Sequence, residues 1–226
     1  KERERHLKMA GEATARGNRA REIYQQKREE YVELQRELNN VKRTIPSWAE
    51  RERKEAVWEL EQNVEDTKVA VERRFGEATR YYGQALGYVP DYEQARRALA
   101  GLYWQRFEEA EAAGDRAQAA YFEGLVRQNN DGSYDALLEG NAFVRATTSE
   151  AGFDTTIYRY EEKKRRLVPV EVGHLGETPT EQTTLQHGSY VLELTKDGFA
   201  ELRVPVQLGR LEEVDVEVEA IREERI

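Results

Sequence analysis

The 226-residue sequence has no cysteine, only one methionine and only five prolines. The absence of cysteine excludes disulfides, thiolate metal sites and thiol nucleophiles. No apolar run approaches the roughly 18 residues of a membrane-spanning helix, and no signal peptide is visible, so we expect no membrane contact from this segment. The chain opens at Lys1 in a charged run without an initiator methionine, and we therefore expect it to be a piece of a longer protein.

Charged residues are abundant. They make up 35% of the chain, against about 25% in an ordinary globular domain. Long helices with narrow apolar stripes suit this composition better than one compact core, because they expose more surface per residue. The net charge of −9 argues against a nucleic-acid partner, since neutralising phosphates requires clustered Lys and Arg.

Residues 1–88 predict two long helices. Apolar and small side chains recur at spacings typical of one helix face, and Pro46 separates the two stripes. Ser47 and Glu50 form a capping box for the second helix, which is expected to run to about Tyr88. The first stripe consists of Ala13, Ala20, Tyr24, Tyr31, Leu34, Leu38, Val41 and Ile45, and the second of Val57, Leu60, Val64, Val71, Phe75, Ala78, Tyr82 and Ala85.

Two such helices joined by a tight turn are expected to fold back as an antiparallel hairpin about 60 Å long. The alternative is that each helix pairs with another copy of the chain as a coiled coil. The short linker favours the intramolecular hairpin, because it raises the local concentration of the partner helix.

Residues 89–140 predict shorter helices. Pro90 ends the second long helix, Asp91 is expected to cap the next one, and Gly114 with Asp115 marks a further turn. One spacing resembles the second helix and terminal proline of a tetratricopeptide repeat. It is formed by Ala78, Tyr82, Ala85 and Pro90.

Tyrosines on these helices could line a peptide-binding groove, as tetratricopeptide units do on their concave surface. The concave surface of barely one repeat would be small, so packing against neighbouring helices is the competing interpretation. The candidate residues are Tyr81, Tyr82, Tyr88, Tyr103 and Tyr121.

From Ala142 onward the apolar periodicity changes to two, which predicts strands. Two strands flank a turn near residues 162–164, and two more flank Asp197–Gly198, a pair that tolerates positive φ. Valines alternating with acids over residues 213–219 predict an edge strand. The predicted fold class is α+β: a long antiparallel helical hairpin with tetratricopeptide-like helices, followed by a small antiparallel β-domain over residues 141–226.

Residues 175–208 resemble a PEGA domain, a small bacterial β-module. The name-giving Pro-Glu-Gly-Ala turn is absent, and the segment Ser149–Phe153 lies roughly where it would be. The resemblance implies that the C-terminal β-domain is PEGA-like. The family pattern has a Gly-x-Thr-Pro loop, a Gly-x-Tyr strand opening and a Gly-aromatic hairpin tip, matched here by Gly176-Thr178-Pro179, Gly188-Tyr190 and Gly198-Phe199.

The order of parts resembles the region that follows the catalytic domain of large bacterial serine/threonine protein kinases, some of which continue into a formylglycine-generating-enzyme-like domain. The segments IPSWAE…VWELE and YWQRFEEAEAAGD, followed by the PEGA-like module, carry this resemblance. It implies a non-catalytic segment of an ATP-binding signalling transferase, with a protein partner or self-association. The expected location is the cytoplasm, and the alternative is the extracytoplasmic side of a membrane-anchored kinase.

The chain itself shows no catalytic motif. A kinase core needs a Gly-rich loop, a strand lysine, an HRD-type loop and a DFG, and none is present. His6, His174 and His187 are far apart in the sequence and belong to no metal-binding motif. We therefore predict no catalytic residue, no metal site and no cofactor. The basic run within Glu161–Arg166 is interpreted as a solvated hairpin tip, with a docking patch as the alternative.

Three functional hypotheses follow. The first is a scaffold and interaction segment of a bacterial serine/threonine kinase. The second is a ligand-sensing module that binds a cell-envelope glycan or a peptide. The third is a fragment of an enzyme whose catalytic domain lies outside this chain. The sequence names neither the partner nor a small-molecule ligand.

Overall fold

A computed structural model describes residues 1–45 and 51–223. The chain divides into two compact units, Lys1–Gly132 and Ser133–Ile226, each with its own hydrophobic core. The predicted hairpin and the shorter helices that follow it belong to the first unit. Pro46 and the predicted capping box of Ser47 and Glu50 lie outside the described residues.

The helical unit contains four helices in its described part. The two long helices are α1 and α2, and the two shorter ones, α3 and α4, follow them in the chain. Their bounds are Glu2–Thr44 for α1, Arg51–Tyr88 for α2, Glu93–Ala112 for α3 and Arg116–Asn129 for α4.

Helices α1 and α2 run antiparallel. The Tyr82 hydroxyl donates a hydrogen bond of 2.8 Å to Asn18 Oδ1. The Lys42 ammonium lies 2.6 Å from Glu61 Oε1. Later residues of α1 therefore contact earlier residues of α2, as in an antiparallel pair. The predicted hairpin is confirmed. Its interior includes most residues of the two predicted stripes, among them Ala13, Ala20, Tyr24, Leu38, Val64, Val71, Ala78, Tyr82 and Ala85.

A glycine sets the close approach of the two long helices. A Cβ atom added to Gly17 would lie 2.6 Å from the Cε1 atom of Tyr82, which is well inside van der Waals contact. The Tyr82 side chain is fully buried, so its ring has little room to withdraw. The absence of a side chain at Gly17 therefore leaves the space on α1 that the Tyr82 ring of α2 occupies.

An aromatic cluster joins the hairpin to α3 and α4. The ring of Phe75 in α2 lies 5.7 Å from Tyr24, 6.2 Å from Tyr103 and 6.2 Å from Phe122, measured between centroids. The Arg106 guanidinium lies 5.3 Å from the Phe75 ring centroid and 5.5 Å from that of Phe122. Because every helix of the unit contributes a ring to it, the cluster holds the four helices as one body.

The predicted cap of α3 is wrong. The residue at the N-cap position is Tyr92, and it forms no capping hydrogen bond through its side chain. Asp91 lies one residue too early, and its carboxylate is instead 3.8 Å from Arg96. The predicted turn at Asp115 is confirmed, because its side chain accepts a 3.0 Å hydrogen bond from the backbone of Gln118 at the start of α4.

The second unit, called the β-unit below, begins with a short helix and continues with strands. Its elements are α5 (Asp135–Glu139), β1 (Asn141–Thr148), β2 (Asp154–Lys163), β3 (Arg166–Glu177), β4 (Thr183–Gln186), β5 (Gly188–Thr195), β6 (Leu202–Leu208) and β7 (Glu213–Val218).

The strands form two sheets whose inner faces share one core. One sheet has the order β4-β1-β7 and the other β3-β2-β5-β6. All pairings are antiparallel except that of β1 with β7, which is parallel. Strand β7 lies at an edge with Val216 buried, which confirms the predicted edge strand. The core residues are Ala142, Val144, Ala146, Phe153, Ile157, Tyr190, Leu192, Leu194, Val206, Leu208 and Val216.

The two predicted turns of the β-unit differ in accuracy. The turn between β2 and β3 is formed by Lys164 and Arg165, with φ of 53° and 63°, so the predicted position of 162–164 is too early because β2 continues to Lys163. At the second turn Gly198 has φ of 81°, the left-handed conformation expected there.

Substitution of Gly17 by alanine tests the close approach of α1 and α2. We expect Gly17→Ala to lower the free energy of unfolding, because overpacking against a buried ring costs about 1–3 kcal/mol and outweighs the roughly 1 kcal/mol that alanine gains in a helix. Denaturant unfolding followed by circular dichroism at 222 nm measures the change.

The matched control is Gly83→Ala, because a Cβ at this glycine of α2 would meet nothing within 4 Å. The control should unfold at the same or a higher denaturant concentration than the unmodified chain. A Gly17→Ala protein as stable as the control would contradict the packing described.

Candidate functional site

A groove lies on the outer face of the four-stranded sheet, the face turned away from the core of the β-unit. Its volume is about 320 Å³, at the lower end of the range in which proteins hold small ligands. We call it the tyrosine–proline groove. Its lining residues are Tyr158, Tyr160, Pro169, Val191, Glu193, Arg203 and Pro205.

Strand alternation and register bring these residues together. Side chains of successive residues point to opposite faces of a sheet, so burial of Ile157 and Leu192 in the core turns Tyr158 and Val191 outward. Tyr158 pairs with Val191 across β2 and β5, and Val191 pairs with Pro205 across β5 and β6. The centre of the groove is therefore a row of apolar side chains that crosses the strands.

Two prolines mark the sides of the groove. Pro169 lies in β3 and Pro205 in β6, the two edge strands of this sheet. A proline has no N–H group, so each edge lacks one donor that a further strand would need. These prolines therefore protect the sheet edges and at the same time add apolar surface to the groove.

The polar groups of the groove cluster at Arg203. Its guanidinium lies 2.7 Å from Glu193 Oε2 and 2.7 Å from Glu201 Oε1. The Tyr158 hydroxyl donates a long hydrogen bond of 3.4 Å to the other oxygen of Glu193. Partial burial raises the pKa of Tyr158, and the negative charges of Glu193 and Glu171 raise it further. At neutral pH this hydroxyl is therefore a proton donor and not a phenolate.

The groove combines apolar and polar side chains. None of its seven lining residues is a serine, cysteine, histidine or lysine. The one lining carboxylate, Glu193, is paired with Arg203. The groove offers rings, a guanidinium and hydroxyls, which are groups that orient ligands in protein pockets.

The five tyrosines proposed from the sequence occupy different environments in the helical unit. Tyr82 is fully buried between α1 and α2, so it has no surface for a peptide. Tyr103 packs in the aromatic cluster, and the Arg80 guanidinium lies 5.1 Å from the Tyr81 ring centroid. Tyr88 and Tyr121 are 37% and 61% exposed. Peptide binding by the other four tyrosines stays a prediction.

The sequence interpretation missed the tyrosine–proline groove. Its signals were present: Tyr158 and Tyr160 are two residues apart in a predicted strand, and Pro169 and Pro205 each lie between two valines. A proline inside a strand pattern indicates an edge strand. These signals did not show that the two edge strands belong to the same sheet, or that the two tyrosines and the two prolines lie on one face of it.

The histidines form no common site. His174 Nε2 lies 3.1 Å from Asp154 Oδ1 at the surface of the β-unit. Across residues 1–45 and 51–223, no group of three or more His, Cys, Asp or Glu side chains is placed to hold a metal ion.

The pKa of Tyr158 tests the electrostatics of the groove. We expect the hydroxyl to titrate above the ordinary tyrosine value of about 10, because burial, Glu193 and Glu171 disfavour the phenolate. Glu193→Gln should lower this pKa, since it removes a negative charge and leaves Arg203 with one carboxylate fewer. Carbon-13 NMR of the labelled tyrosine Cζ atoms, followed against pH, measures it.

Tyr121 serves as the internal reference in the same titration, because it lies in the other unit. An unchanged Tyr158 pKa in the Glu193→Gln protein would contradict the contact between the two side chains.

Comparison with known proteins identifies one part of the chain. The family model of the PEGA domain matches residues 168–223, which cover most of β3 and all of β4 to β7. No curated protein matches the chain. No homologue or family match supports the kinase parent, the tetratricopeptide-like interpretation of residues 89–140 or a coiled coil.

The match also bears on location. Within the described ranges no helix is long and apolar enough to cross a bilayer. PEGA domains are generally interaction modules and are typically extracytoplasmic, so the match gives the expected cytoplasmic location no support. Five of the seven groove residues, from Pro169 to Pro205, lie inside the match, whereas Tyr158 and Tyr160 precede it. Residues 168–223 of this chain are a PEGA domain.

Proposed function

We propose that this chain is a non-catalytic interaction segment, in which the β-unit binds a partner through the tyrosine–proline groove and the helical unit serves as a spacer. The groove is the observation that carries the proposal. It is a concave surface of the β-unit that combines half-buried aromatic rings with a charged pair. Such a combination is typical of binding surfaces.

The helical unit has the properties of a spacer. At 1.5 Å per residue, the 43 residues of α1 extend for about 65 Å. Contacts between α1 and α2 extend from the Asn18–Tyr82 pair to the Lys42–Glu61 pair, and the aromatic cluster fixes α3 and α4 to the hairpin. A helix supported by packing along its length bends less than an isolated one, so the hairpin can hold two attached parts at a fixed separation.

The parent protein in this proposal is a bacterial serine/threonine protein kinase. The support is the order of parts, since a PEGA domain follows a long charged helical region here, as in the kinases that the sequence resembles. Sequencing the gene on both sides of this segment tests the parent. A kinase catalytic domain is expected, and a neighbouring domain of an unrelated class would overturn this part of the proposal.

A ligand screen by differential scanning calorimetry tests the binding role. A ligand at about 100 times its dissociation constant stabilises the unit that binds it by about 2.7 kcal/mol. We expect at least one member of a library of peptides and bacterial glycans to raise the unfolding temperature of the β-unit and not that of the helical unit. Tyr160→Ser should abolish the shift, because it removes a ring that lines the groove.

The matched control is Tyr121→Ser, because Tyr121 is an exposed tyrosine of the helical unit. It should leave the ligand-induced shift unchanged. If no library member stabilises the β-unit, the chain acts as a spacer alone and the binding role is wrong.

A further inference from the structure

The chemistry of the tyrosine–proline groove limits what it can bind. Five of its seven lining residues are tyrosine, proline or valine, so most of the surface offers apolar contact. Its one lining carboxylate, Glu193, already accepts hydrogen bonds from Arg203 and Tyr158. The groups left for a ligand are the Tyr160 hydroxyl, which both donates and accepts, and the remaining N–H groups of Arg203, which only donate.

A donor-rich apolar groove suits a ligand with acceptors and few donors. A proline-rich peptide has this property, because proline has no N–H group and the backbone carbonyls of a polyproline II helix are unpaired. A glycan carries hydroxyl donors on most of its carbons, and the one lining carboxylate that could accept from them already accepts from Arg203 and Tyr158. Aromatic grooves on other small domains recognise proline-rich segments in this way.

We propose that the tyrosine–proline groove binds an extended proline-rich peptide of another protein, an inference that rests on the proposed role of the β-unit as an interaction module. The peptide lies across the strands, with its proline rings against Tyr158, Tyr160 and Val191. Pro169 and Pro205 lie at the two ends of its site.

The dimensions of the groove match a short peptide. The lining residues extend over all four strands, from Pro169 in β3 to Pro205 in β6. Three strand spacings of about 4.8 Å give a width of about 14 Å. Five residues of a polyproline II helix cover about 15 Å at 3.1 Å per residue. The groove therefore accommodates one segment of about five residues.

The edges of the sheet are poorer sites than its face. A peptide that adds as a further strand needs the unpaired N–H groups of an edge strand. Pro169 and Pro205 each remove one such group, from β3 and from β6. The same residues that weaken strand addition enlarge the apolar face, which directs an extended peptide to the groove.

The charges around the groove favour particular residues beside the prolines of the bound peptide. The Arg203 charge is balanced by Glu193 and Glu201, and Glu171 on β3 stands opposite Tyr158. These four side chains carry one positive and three negative charges, so the surroundings are acidic. A peptide with an arginine or lysine beside its prolines is favoured over one with an acidic residue there.

The test uses the full chain and three synthetic probes. The first is a peptide of one arginine followed by six prolines. The second replaces the prolines by alternating glycine and serine and keeps the arginine. The third is a neutral glycan, chitohexaose. Isothermal titration calorimetry gives the affinities, and proton–nitrogen NMR spectra of the unmodified chain locate each binding site.

We expect the proline peptide to bind at least about tenfold more tightly than the glycine–serine peptide. The chemical-shift changes that it causes should be concentrated on the residues that line the groove. Tyr160→Ser should weaken the binding by about tenfold or more, Tyr160→Phe should weaken it less because the ring remains, and Tyr121→Ser should leave it unchanged. If Tyr160→Ser fails to fold, the chemical-shift changes measured on the unmodified chain still test the inference.

The inference is overturned if the proline peptide binds no better than the glycine–serine peptide or shifts residues outside the groove. If chitohexaose binds the groove instead, the inference falls and the proposed function stands. If the groove binds none of these probes and no member of the peptide and glycan library, both are wrong.

Discussion

The alternation of side chains along the strands of the four-stranded sheet is the constraint on which the functional interpretation depends. Ile157 and Leu192 face inward, where they are buried with the other apolar residues of the β-unit core. Their neighbours Tyr158 and Val191 are then forced to the outer face. A slip of one residue in register would bury the tyrosine and expose the core. The stability of the unit and the existence of the groove therefore follow from the same strand pairing.

The helical unit depends on a comparable fit between small and large residues. Gly17 leaves the space that Tyr82 fills, and Phe75 brings α3 and α4 to the hairpin through its contacts with Tyr103 and Phe122. The many charged residues of the unit lie on the exposed faces of these helices. The hairpin thus combines a narrow apolar interior with a large solvated surface, which is the property expected of a spacer.

Local patterns predicted the elements but not their long-range arrangement. Helical spacing indicated the hairpin, alternation indicated the strands, and the Gly176 to Phe199 motif residues indicated the PEGA domain. The parallel β1–β7 pair and the groove were missed, because both depend on strand order, which no local spacing encodes. Tyr82 was assigned to a binding surface for the same reason. Its burial depends on Gly17, which lies 65 positions away in the sequence, and local spacing does not show that contact.

Hydroxyl-radical footprinting of the tyrosines, with and without the peptide of one arginine followed by six prolines, tests most directly the claim that the outer face of the sheet is the interaction surface. The account predicts that Tyr158 and Tyr160 are oxidised in the free chain and protected in the complex. Tyr82 should be protected in both states, because it is buried, and Tyr121 should react in both, because it is exposed in the other unit. Equal oxidation of Tyr158 and Tyr160 in the free and bound states would contradict the account.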